Sequence, residues 1–241
     1  MEKAKDSANF EPFVTPSHGG FTVGAGKRRI STSPGVPLVL VTRALADAVC
    51  EEWRAVGPQA RLNDLPLARM AAAATESGSN RTHVENSLLS YADTDLVCYW
   101  SSDAEPATLR ARQAAAWQPM LDWARTALGV ELQVASGIVP ISQSAAAKEK
   151  LRTAICSLSL SDLIGLRVAS AAVGSLVIGL GIVHGAWGAE QAHTAATVDE
   201  RFQMERWGVD SEAEEAIEAR RKDLEAAVRF LQLSRAPEQR P

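Results

Sequence analysis

The run VDERFQMERWGVDSEAE, Val198 to Glu214, is read as the end of one helix, a corner and the start of another. Asp199, Glu200, Phe202, Gln203 and Glu205 lie on the first helix. It stops at Trp207-Gly208, because glycine can take the left-handed backbone that closes many helices. The second helix starts at once: Ser211 and Glu214 have the spacing of a capping box, in which each side chain bonds the other's backbone N–H. An indole and several carboxylates are thereby fixed at a rigid corner. A solvated acidic helix face accounts for the same pattern without any function.

Outward from this corner the chain reads as helical. Ile217, Leu224, Val228 and Leu231 form one stripe of a final amphipathic helix, Ser211 to Leu233. Ser144 to Leu158 is a shorter helix. Pro106 opens one with Leu109, Gln113, Trp117, Met120, Leu121, Ala124 and Leu128 along a face. Thr82 and Glu85 repeat the capping-box spacing. Val168 to Val183 is an uncharged run of 16 residues, short of the roughly 20 that span a bilayer. It is read as one central buried helix, with a membrane helix as the alternative.

Before residue 80 the signals change. Phe21 and Val23 alternate with polar or small residues, Gly24-Ala25-Gly26 turns, and Arg29-Ile30-Ser31-Thr32 is extended. Ser33-Pro34-Gly35 turns again before Val36 to Leu40, so a small antiparallel sheet is expected. Thr42 caps a helix carrying Leu45, Val49 and Trp53, which Gly57-Pro58 ends. Leu62 to Ala74 is apolar but interrupted by Pro66, and Glu76-Ser77-Gly78-Ser79-Asn80 is the best linker. Met1 to Asn9 reads as a frayed tail. The expected fold is α+β in two domains: a small β-rich N-terminal domain over 1–80 and an all-α C-terminal helical domain over 81–241.

A chain of 241 residues with 46% hydrophobic and 22% charged residues is an ordinary globular protein. A net charge of −4 argues against nucleic acid as a main partner. Cys50, Cys98 and Cys156 lie far apart, which suits three buried thiols in a reducing compartment. No apolar signal core or Arg-rich transit peptide opens the sequence, since Glu2, Asp6 and Glu11 intervene; a cytoplasmic protein is expected.

Cofactor chemistry finds little support. Gly24-Ala25-Gly26-Lys27-Arg28 lacks both the first glycine and the hydroxyl residue of a phosphate loop, and reads as a hairpin turn. Gly179-Leu180-Gly181 fails as a dinucleotide fingerprint, with His184 where the third glycine belongs. His18, His83, His184 and His193 form no metal motif; His193 is read as a helix-surface residue and His184 as ending a buried helix. No cofactor and no metal are expected. Asp93-Thr94-Asp95 with Tyr99 is the one constellation that could be catalytic, if the two carboxyl groups divided acid and base roles. The competing reading is that Asp93 or Thr94 caps the apolar segment that follows.

Several motifs, in order, resemble the ATP synthase assembly chaperones specific for the α subunit of the catalytic head. These are Phe21-Thr22-Val23 through Pro34, Glu52-Trp53, Leu65-Pro66-Leu67-Ala68-Arg69-Met70, Asp93 to Tyr99, Gln113 with Trp117 and Pro119, Gly174-Ser175-Leu176, and the corner itself. This copy departs from the family at Ser33, Ala25, Glu76-Ser77 and Trp100. The resemblance implies no enzyme activity. It implies an ATP-independent chaperone that binds the free α subunit, shields its interface and yields it to the β subunit. An isolated α subunit exposes an apolar patch that would otherwise drive aggregation. The family's functional glutamate maps onto Glu212, with Asp210 or Glu214 as alternatives; Trp207 and Gly208 would fix the corner, and Asp199 and Glu200 belong to the same set. A monomer without membrane insertion is expected. The alternative in another class is a small hydrolase or lyase using Asp93, Asp95 and Tyr99.

Overall fold

The computed structural model describes residues 10–32, 35–102, 109–137 and 139–237. The expected tail at Met1 to Asn9, the turn residues Ser33 and Pro34, and the helix opening at Pro106 lie outside them. The described residues fall into two compact units. One comprises those of Met1–Asn80 and Arg229–Pro241, the other those of Arg81–Val228.

The first unit starts with an antiparallel meander of β1 (Phe13–Ser17), β2 (Gly20–Ala25) and β3 (Arg28–Arg29), in which Val14 faces Val23 and Gly24 faces Arg29. The turn after β2 is Gly26-Lys27; Gly24 and Ala25, expected in the turn, are still strand. Single bridges Phe21–Leu40 and Ser31–Pro37 bring the following segment onto the sheet. Gly20 permits this approach, since a Cβ there would sit 2.2 Å from the Leu40 carbonyl oxygen.

Helix α1 (Arg43–Val56) begins where the sequence places it: the Thr42 Oγ1 accepts from Leu45 N–H at 3.1 Å and donates to the Leu233 carbonyl at 2.7 Å. Leu45, Val49 and Trp53 are its buried stripe. Pro66 does not interrupt an element but begins one, as the first residue of α2 (Pro66–Glu76), where its missing N–H costs nothing. The Glu52 carboxylate accepts the Leu67 N–H at 3.0 Å and so caps α2 from α1. Replacing Thr42 by alanine removes a cap and a tertiary hydrogen bond together. It should cost about 1–2 kcal/mol in urea unfolding, and serine at the same position should restore most of it.

In the second unit α3 (Arg81–Leu89) already includes Thr82, so the expected capping box does not form; Glu85 instead pairs with Arg81 at 2.6 Å. Then come β4 (Tyr99–Trp100), α4 (Leu109–Ala127), β5 (Ala135–Ser136), α5 (Ala145–Cys156) and α6 (Leu160–Val173). After these lie α7 (Leu176–Val183), α8 (Ala189–Ala196), α9 (Val198–Trp207) and α10 (Ser211–Ser234), whose last residues, from Arg229, go with the first unit. Strands β4 and β5 pair in parallel, the one departure from an all-helical unit among the described residues. Gln113, Trp117, Met120 and Ala124 are the buried face of α4.

The run Val168 to Val183 is not one helix. Gly174 takes φ 66°, ψ 21° and ends α6, and Ser175 caps α7 through its side chain. Every residue of α7 is buried. No helix among the described residues is long and apolar enough to cross a membrane. Two further expectations are corrected. Cys156 is exposed, not buried. His193 is buried, with Nε2 3.3 Å from the Ile217 carbonyl oxygen, because α10 lies over that face of α8.

Candidate functional site

Asp93, Asp95 and Tyr99 do not make a catalytic centre. Asp95 is 1% exposed. Its Oδ2 accepts the N–H groups of Leu176 at 2.8 Å and Val177 at 3.1 Å, and its Oδ1 that of Val97 at 3.3 Å. It caps the N-terminus of α7 from a distant part of the chain, and burial pushes its pKa up to about 6. Asp93 faces another way: Oδ2 meets Lys148 Nζ at 2.6 Å and Oδ1 accepts the Gln143 N–H at 2.8 Å. The Lys148 hydrogen bond holds its carboxyl below the usual range. The Tyr99 hydroxyl donates to the Asp93 carbonyl at 2.5 Å. Each carboxylate is occupied by structural partners. A surface hollow of 360 Å³ lined by Glu131, Leu132, Gln133, Ser144 and Lys150 includes none of the three. The hydrolase or lyase alternative therefore falls: the expected acid–base pair is a buried cap and a surface ion pair.

The corner between α9 and α10 stands where the sequence puts it, built differently in detail. Gly208 has φ 92°, ψ 166°. The positive φ is the one expected, but ψ is extended, so the chain leaves the helix end outward instead of curling into the left-handed closure. Asp210, not Ser211 with Glu214, is the cap: its Oδ1 accepts the Glu212 N–H at 3.0 Å and its carbonyl accepts the Glu214 N–H at 2.9 Å. Ser211 is already the first residue of α10.

The acidic residues divide by orientation. Asp199 is half-buried, and its Oδ1 accepts from Gln113 Nε2 on α4 at 2.8 Å; burial raises its pKa. Gln113 in turn accepts the Ser101 N–H at 2.6 Å, so one buried amide ties α9 to the β4 end. Glu200 pairs with Arg220 of α10 at 2.7 Å, and Glu205 with Arg112 of α4 at 2.7 Å. Phe202 is buried with the guanidinium groups of Arg112 and Arg206 lying 5.2 Å and 5.1 Å from its ring centre. Glu212, Glu214 and Glu215 are exposed and, among the described residues, make no ion pair. Trp207 is 75% and Val209 67% exposed.

Trp207, Gly208, Asp210, Glu212 and Glu214 are thus together on the surface, whereas Asp199 and Glu200 are turned into the protein's own helices. The Trp207 side chain is exposed, whereas Phe202 is buried beside Arg112 and Arg206. The sequence reading overlooked Gln113, Arg112 and Arg220 as the holders. The available signal was a glutamine within the apolar face of α4. No group of three or more His, Cys, Asp or Glu among the described residues is placed to hold a metal ion.

Against this geometry, four likenesses stand out. Residues 6–125 match the family model described as ATP12 chaperone protein. The mitochondrial protein atp12 of Schizosaccharomyces pombe is 24% identical over 195 residues, which is 76% of this chain and 67% of that protein. The crystal structure of Atp12 from Paracoccus denitrificans superposes with a TM-score of 0.85 at 35% identity, covering 93% of this chain and 96% of that one. A protein of Agrobacterium tumefaciens of known structure gives 0.84 at 29% identity, over 92% and 83% of the two chains.

Proposed function

The chain belongs to the ATP12 chaperone family, and from that membership we propose that it binds the free α subunit of the F-type ATP synthase head and shields that subunit's interface until the β subunit replaces it. The family is one of chaperones, not enzymes, which agrees with the structural occupation of Asp93 and Asp95. The outward face of the α9–α10 corner supports the choice of partner most directly. From Glu205 to Glu218 it carries six carboxylates; Glu205 and Glu218 pair with Arg112 and Arg221, which leaves Asp210, Glu212, Glu214 and Glu215 facing outward beside an exposed indole. An acidic rim around an apolar centre gives fast encounter and an affinity modest enough for exchange. The protein acts as a monomer in the cytoplasm, and displacement by the β subunit needs no nucleotide.

Glu212 is the residue assigned to a basic group on the α subunit. Its carboxylate is exposed and makes no ion pair among the described residues, so it is open to a partner. Replacing Glu212 by glutamine should weaken binding of purified α subunit about tenfold, a loss that shrinks as salt is raised. The melting temperature should stay put. Co-purification with separately expressed α subunit, with β subunit as control, tests the whole reading. A variant that binds normally but melts earlier would reduce Glu212 to a helix-end charge.

A further inference from the structure

We infer that Trp207 and Val209 form an apolar plug that enters a pocket on the partner protein, a pocket rimmed by lysine or arginine side chains that meet Glu212, Glu214 and Glu215. The inference rests on the chaperone reading above and names the chemistry of the surface it engages.

Six tryptophans lie in the chain. Trp53, Trp100, Trp117 and Trp187 are buried and Trp123 is half-buried. Trp207 alone is exposed, at 75%, although it ends a helix whose other aromatic residue, Phe202, is buried. Its neighbours are committed: Arg206 lies over Phe202 and Glu205 pairs with Arg112. The Trp207 side chain packs against no aromatic ring and makes no hydrogen bond among the described residues, and Val209, two residues on, is 67% exposed.

Gly208 explains how Val209 comes to project. A Cβ at this position would meet nothing within 4 Å, so space does not require glycine; the φ of +92° does. L side chains rarely adopt that conformation. Together with the extended ψ it carries Val209 away from the helix end, and the Asp210 cap then starts α10. Val209 is held out by backbone geometry, and Trp207 ends α9 with its ring in solvent.

The charges choose the occupant. Asp199, Glu200, Glu205 and Glu218 are satisfied within the protein by Gln113, Arg220, Arg112 and Arg221. Glu212, Glu214 and Glu215 are left over, all on the first turns after the plug. A second copy of this chain would bring the same excess of negative charge and be repelled, as would an anionic membrane surface. A protein pocket with a basic rim is complementary to both parts. A tryptophan entering a desolvated pocket with charges at the edge is the usual anatomy of an interface hot spot.

The test uses the full chain and purified α subunit, with association and dissociation rates measured at low and high salt. The double variant Trp207→Ser/Val209→Ser should bind at least about thirtyfold more weakly at both salt concentrations, through faster dissociation. Trp207→Phe should recover most of the affinity. The triple variant Glu212→Gln/Glu214→Gln/Glu215→Gln should instead associate more slowly and lose most of its salt dependence. All these side chains are exposed, so melting temperatures should match wild type; the single Trp207→Ser variant serves if the double one does not fold. Wild type binding the α subunit while both serine variants bind within about twofold of it overturns the plug and spares the chaperone reading. Wild type that fails to bind the α subunit overturns both.

Discussion

Asp95→Ala is expected to destabilise the second unit by about 3–5 kcal/mol at neutral pH, enough to leave much of it unfolded at 37 °C. The carboxylate accepts three buried N–H groups, those of Val97, Leu176 and Val177. Alanine leaves all three without partners, each at a cost of about 1–3 kcal/mol, partly offset because no charge is then buried. Asn keeps an accepting oxygen but brings an amide that needs acceptors of its own, so its cost should be about 1–2 kcal/mol. The pH dependence separates the two contributions. Burial raises the pKa of Asp95 to about 6 from 3.8. The folded state therefore holds the proton longer than the unfolded chain does. Its stabilising contribution is complete below about pH 4 and is lost as the pH rises through about 6, by about 3 kcal/mol in all. Asp93 has the opposite sign, since its lowered pKa gives stability that is lost on acidification, but its side chain is 41% exposed and its share is small. Urea unfolding of wild type, Asp95→Asn and Asp95→Ala at pH 5 and pH 7.5 measures this. An asparagine variant as pH-dependent as wild type would move the titration to another group.

The same residue marks where sequence reading stopped. Thr42 as a cap was legible, because a cap is local: the hydroxyl and the N–H it serves lie three residues apart. Asp95 serves N–H groups 81 and 82 residues away, and nothing near Asp95 announces that. What was legible, an acidic residue before an apolar segment, favours a cap over an active site but does not say which N–H groups are served. The break inside Val168 to Val183 was hidden for a different reason. A uniformly apolar run has no periodicity to interrupt, so the left-handed Gly174 and the capping Ser175 were the only signals. At the α9–α10 corner the position was readable from Trp207-Gly208, whereas the facing of each carboxylate was not. Their partners Arg112 and Gln113 come from α4 and Arg220 from further along α10. His193 was misread for the same reason: its burial is decided by α10, whose contact with α8 leaves no mark around residue 193. Local chemistry placed the elements and the β-to-α change in character; the direction each polar side chain takes was decided by elements remote in sequence.

Gly181→Ala should run against the usual rule for a helix interior. In an exposed helix that substitution stabilises by about 1 kcal/mol, since alanine loses less backbone entropy. Here the new Cβ would lie 1.9 Å from Trp187 Cζ2 and 2.2 Å from Cε2. The indole is rigid and cannot bend away as a lysine end would. Two further contacts hold it in place. Its Nε1 donates to the Ile178 carbonyl at 2.8 Å, and its ring meets that of Trp123 edge-on at 5.0 Å. Moving the ring breaks the hydrogen bond and the aromatic contact, and α7 has no solvent-facing side toward which it can shift. The net loss should be about 2–4 kcal/mol. Gly188→Ala is the matched control, because a Cβ there meets nothing within 4 Å, and it should change stability by less than about 1 kcal/mol. Trp187→Phe removes the clashing six-membered ring of the indole while keeping an aromatic side chain, so Gly181→Ala should cost clearly less in that background than in wild type. Equal costs in the two backgrounds, measured as a double-mutant cycle by urea unfolding, would mean that Gly181 is not there to make room for Trp187.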